Sequence, residues 1–191
     1  MGDGSAKRKS DIEISMILAG PNDLDDAIGK VVRQGGLLEE VMRECVALLG
    51  GLGNDVDVLL MGQPWDWMYR MAVRFQQEPV FATRRCNDRA LPAIGEALSE
   101  ADRVWKKRNL VVHSAWAVCP SLLGGSCEIS ASRGGKVAEG EFHVEWSRRG
   151  RSSRSVDHRH VWELEEIILE FETVRCNLVE GLREFTPDQV R

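Results

Sequence analysis

The C-terminal stretch from Val161 to Phe185 constrains the fold most. Apolar residues fall at Leu164, Ile168, Phe171, Leu178, Leu182 and Phe185, in alternating four- and three-residue steps, with Arg175 in the one missing place. Ile167 and Val174 widen the stripe. A helix this long with so broad an apolar side has to pack lengthwise against other helices, in a bundle or a dimer.

Partners for it can be read upstream. Leu38, Val41, Cys45, Leu48 and Leu49 place a helix over Leu37–Leu49, which Gly50-Gly51-Leu52-Gly53 stops. Asn54-Asp55 opens a weaker apolar stretch to Met61. A helix over Gln63–Gln77 starts with Pro64 near its first position and carries Trp65, Met68, Tyr69, Ala72, Val73 and Gln76 on one side. After a polar link at Cys86–Ala90, a helix from Leu91 to Arg108 or slightly further has the stripe Ile94, Ala97, Leu98, Ala101, Val104 and Trp105. Asp23 is placed to cap a short helix over Leu24–Arg33, and residues 1–11 read as a flexible arm. After His113 the character changes. Ala115–Val118, Cys127–Ser130 and Phe142–Trp146 are strand-like runs between Gly-containing turns, so residues 115–157 are expected to form a small β-meander. The expectation is one mainly α domain over 12–191, an antiparallel helical bundle with this insertion before its long last helix.

Several function classes lose their usual parts. The composition, 43% hydrophobic and 29% charged, suits a soluble globular chain. No apolar run nears the roughly 20 residues of a membrane span, and the polar N-terminus lacks a signal-peptide core, so a cytoplasmic protein without membrane contact is expected. The five cysteines lack a CxxC pair and read as reduced, leaving a Cys119–Cys127 bridge open. No GxSxG elbow, Walker loop or GxGxxG is present. His158 and His160 could both ligate a metal only from a strand, with His143 joining, and the intervening Arg159 opposes a cation. With no HExxH, carboxylate cluster or Cys/His ladder, neither metal nor cofactor is expected, and the segment reads as an exposed polar link.

What remains is Trp105-Lys106-Lys107-Arg108-Asn109-Leu110-Val111-Val112-His113-Ser114-Ala115-Trp116. Three cations and a histidine close an amphipathic helix. The plain explanation is that cations offset the negative end of the helix dipole. A chemical one requires Arg108 and His113 at one phosphate. Five residues at about 100° each place them about 140° apart on an ideal helix. Either the helix ends between them, which Val111-Val112 and Ser114 would favour, or a second chain completes the site.

The segment Arg108-Asn109-Leu110-Val111-Val112-His113 resembles the signature of the HEPN superfamily (higher eukaryote and prokaryote nucleotide-binding domains), in which Arg, a polar residue and a later His recur. An Arg followed by a His after a gap of four to six residues also occurs at Arg151…His158 and Arg154…His160, but there no helix precedes it. The likeness extends over residues 37–185 in architecture and over about ten residues in motif. It implies a HEPN-like fold and a metal-independent endoribonuclease, with the site at a homodimer interface and products ending in 2′,3′-cyclic phosphate. His113 would act as acid or base, Arg108 would stabilise the phosphate, and Asn109 would orient one of them. Arg103, Lys106, Lys107, Trp116, Arg148 and Arg149 would contact RNA, and Trp146 could stack on a base. A toxin or phage-defence effector with a protein antitoxin or regulator fits that picture. The alternative is a non-catalytic HEPN-like dimer that binds a partner protein or nucleotide. Net charge does not oppose RNA. The total is −5, yet residues 84–159 hold 14 Lys and Arg against 9 Asp and Glu.

Overall fold

The computed structural model describes residues 21–52, 57–78, 90–137, 141–147 and 154–185. Helices dominate: α1 (Pro21–Leu49), α2 (Asp57–Leu60), α3 (Trp65–Gln77), α4 (Ala90–His113), α5 (Glu128–Ser132) and α6 (Val161–Phe185). Three strands, β1 (Ala115–Ala117), β2 (Glu141–Ser147) and β3 (Arg154–His160), form one antiparallel sheet in the order β1-β2-β3. No described helix is long and apolar enough to cross a membrane. The N-terminal arm, Trp146's side chain, Arg148 and Arg149 lie outside what is described.

Two compact units divide the chain. One comprises the described parts of 1–31 and 109–166, the other those of 32–108 and 167–185. The second is a helical bundle. The expected stripes are inside: Ile94, Leu98, Ala101 and Val104 of α4 and Phe171 and Leu178 of α6 are fully buried or nearly so. Cross-helix contacts fix the neighbours. Trp65 of α3 stacks on Trp105 of α4 at 4.3 Å between ring centres. Lys107 of α4 donates to Glu170 of α6 at 2.6 and 2.7 Å. Gln34 of α1 donates to Glu172 of α6 at 2.9 Å.

The first unit holds the sheet. In its register Ala117 faces His143, and His143 faces His158 on the other side. Strand β2 is central and covered on both faces: Phe142 and Val144 are buried, and so are Glu141 and His143. A three-stranded sheet with one buried face that is polar needs partners for those groups.

Four expectations require correction. The separate helices expected over 24–33 and 37–49 are one helix, because Gly35-Gly36 lies within α1 without breaking it. Gly35 is buried there, and a Cβ on it would meet Arg108 Nε at 3.3 Å, so its lack of a side chain serves packing. Helix α4 extends to His113, within the slight extension allowed past Arg108 but without the break between Arg108 and His113 that Val111-Val112 would favour, since burial of Val111 outweighs its weak helix propensity. The run Cys127–Ser130 is not a strand; Glu128–Ser132 forms a helical turn. The expected exposed link at His158–His160 is the end of strand β3, and His158 is buried.

Candidate functional site

Helix α4 carries the basic segment. Arg108 is half-buried, its guanidinium carbon 5.0 Å from the centre of the Trp105 ring, with the ring itself held by Trp65. Asn109 is half-buried on the next position, and His113 is exposed at the helix's last residue. Because α4 is continuous, ideal helical spacing sets Arg108 and His113 about 140° apart around its axis. One copy of α4 therefore does not present both on one face.

The flanking cations are engaged by carboxylates. Arg103 pairs with Glu100 at 2.7 Å and Glu170 at 3.3 Å, Lys106 with Asp102 at 2.5 Å, and Lys107 with Glu170. The Glu100 hydrogen bond holds the Arg103 guanidinium above its ordinary pKa, and the Asp102 hydrogen bond does the same for the Lys106 ammonium. Trp116 is half-buried and its indole N–H donates to the Val111 carbonyl at 2.9 Å, which ties the start of β1 to the end of α4.

A second constellation escapes sequence reading. Cys119 and Cys127, in the connection between β1 and β2, converge with His143 of β2 and His158 of β3. One potential ligand atom from each lies within 4.8 Å of all the others, and all four residues are buried. Cys127 Sγ is 3.3 Å from His158 Nε2 and 3.8 Å from His143 Nδ1. The other ring nitrogens turn to carboxylates: His143 Nε2 to Glu145 at 3.2 Å and His158 Nδ1 to Glu141 at 3.6 Å. Arg133 anchors buried Glu141 at 2.5 Å. Burial lowers the His158 pKa below the usual imidazole value, against the opposing pull of Glu141, so the ring is held neutral. Cys119 and Cys127 are free thiols, so the bridge left open by the sequence is not formed.

The ligand spacing explains the miss. Seven, fifteen and fourteen residues separate successive members, so no two stand in a short motif. The available signal was the pair of His-centred alternating runs, Phe142-His143-Val144 and Asp157-His158-Arg159. It becomes legible only once 154–160 is recognised as a strand facing β2.

Comparison with protein-family models, with curated proteins and with solved structures finds no match. Functional assignment therefore rests on the residues and their geometry.

Proposed function

We propose that the chain is a HEPN-type, metal-independent endoribonuclease that acts as a homodimer. The observation that carries this reading is that α4 bears both an exposed imidazole, His113, and Arg108, whose guanidinium is steadied against Trp105. An exposed imidazole is open to proton exchange with a bound substrate. Cleavage needs a base for the 2′-hydroxyl, a proton for the leaving 5′-oxygen and charge relief on the phosphorane. Two copies of His113 supply base and acid, Arg108 supplies the charge, and Asn109 orients the phosphate or the histidine. The spacing around α4 makes the second copy a requirement of the reading.

The test is labelled RNA incubated with protein and EDTA, comparing wild type with His113→Ala. Loss of the general acid–base should slow cleavage by about 10²–10⁴-fold. Wild-type products should end in 2′,3′-cyclic phosphate. Equal cleavage by both proteins, or none by either, contradicts the reading.

A second reading is a non-catalytic HEPN-like dimer that binds a partner protein or nucleotide. It is favoured by the ion pairs of Arg103, Lys106 and Lys107, which leave their charge largely answered by Glu100, Asp102 and Glu170. Under it, RNA affinity should be weak and nearly independent of salt, whereas a phosphate-tracking surface loses affinity steeply as salt rises.

A further inference from the structure

We infer that Cys119, Cys127, His143 and His158 form a structural zinc site that fastens the sheet insertion. This goes beyond the ribonuclease reading and does not depend on it.

The donor set is the first argument. Two thiols and two imidazoles are the borderline-soft ligands of a four-coordinate Zn²⁺ site. With bonds of about 2.3 Å to sulfur and about 2.0–2.1 Å to nitrogen, a tetrahedral centre sets sulfur and nitrogen about 3.6 Å apart. The Cys127–His158 and Cys127–His143 separations of 3.3 and 3.8 Å bracket that value.

Charge and burial give the second. Each thiol gives its proton to solvent as its sulfur binds, so one Zn²⁺ enters and two protons leave. Two thiolates, two neutral histidines and one dication sum to zero, which a buried site tolerates. All four residues are less than a tenth exposed, so a site with four protein donors is closed to substrate. That distinguishes it from a Cys–His nucleophilic pair, which needs access.

The surrounding carboxylates supply the third. Ligating histidines commonly pass their other N–H to a carboxylate, which fixes tautomer and ring orientation. Here His143 has such a partner within hydrogen-bond range, His158 has a carboxylate 3.6 Å from its other nitrogen, and the two rings use opposite nitrogens. Glu145 stands at His143 Nε2, leaving Nδ1 for the metal, and Glu141 stands at His158 Nδ1, leaving Nε2. These are the nitrogens that face Cys127. Arg133 holds Glu141 from behind.

Topology gives the site a purpose. The described residues of the β1–β2 connection, 118–137, hold a 3-10 turn and the five-residue α5, and few of their side chains are buried. A metal there cross-links the exit of β1, the start of α5 and both longer strands, where apolar burial is sparse.

The experiment uses the full chain, purified without chelator under reducing conditions. Zinc per chain is read by native mass spectrometry, and affinity by competition with a chromophoric chelator. One zinc per wild-type chain is expected, with none retained by Cys127→Ser or His158→Ala. Should those variants fail to fold, Glu141→Gln is decisive: it keeps all four ligands and should bind zinc about 10–100-fold more weakly. The inference is overturned if reduced wild type neither contains nor takes up zinc, if Cys119 and Cys127 are recovered as a disulfide, or if Glu141→Gln binds as tightly as wild type.

Discussion

Single residues in this chain are read best through what a side chain would displace. Adjacent glycines in α1 have opposite expected signs. Gly36 is exposed with open space around its Cβ direction, so Gly36→Ala should stabilise by about 0.5–1 kcal/mol through helix propensity. At Gly35 a methyl would press on Arg108 and Trp105, so Gly35→Ala should lose that gain and cost about 1 kcal/mol or more from overpacking. Urea midpoints at unchanged slope measure both. Thiols give a second residue-scale forecast. Burial pushes the Cys45 thiol up to about 12, whereas Cys176 is exposed. Cys176 should therefore react with an alkylating reagent at neutral pH, while Cys45 stays unmodified until the chain unfolds. The apolar positions behind these statements were legible by helical spacing, as at Trp65, Met68 and Ala72, all buried. Leu48 belonged to the expected stripe yet is 38% exposed, while Met42 and Val46 are fully buried. The rest of the expected stripe, Leu38, Val41, Cys45 and Leu49, is buried, and Met42 and Val46 widen it.

At the scale of elements, periodicity carried the helices and failed on the strands. Helix α6 spans Val161–Phe185 as its heptad-like steps require. A long amphipathic helix repeats its signal several times over. Strand β3, Arg-Ser-Val-Asp-His-Arg-His, has one aliphatic residue in seven, Val156, and that one is 40% exposed. Its strand character comes from pairing with β2 and from the inward histidine, neither of which hydrophobic spacing can detect. The candidate site divides the same way. Arg108, Asn109 and His113 are contiguous enough to be noticed, whereas the four Cys and His residues meet only through strand register. Two predictions belong here. Trp105→Ala removes the ring between Trp65 and Arg108 and should cost about 3–5 kcal/mol, measured by chemical denaturation. Removal of zinc should erase amide hydrogen-exchange protection in β2 and β3 before that of α6, because the strands rely on the cross-link and α6 on buried Leu164, Phe171 and Leu178.

For the whole molecule, charge and metal must be considered together. The basic surplus of residues 84–159 made RNA compatible with an acidic chain. In the structure much of the described surplus is engaged: Arg133 by Glu141, Arg159 by Asp157 and Glu163, and the α4 cations as above. The proposed zinc site is compatible with the proposed metal-independent cleavage, since the two residue sets do not overlap. Cleavage assays in EDTA should therefore monitor zinc content in parallel, so that loss of activity through unfolding is not mistaken for a metal requirement in the reaction. Among the described residues, more independent geometry converges on the metal site than on any other feature. X-ray absorption at the zinc edge of the purified protein tests it most directly. Two sulfur neighbours at about 2.3 Å and two nitrogen neighbours at about 2.0–2.1 Å are expected. A shell of oxygen and nitrogen only, without sulfur, would contradict it.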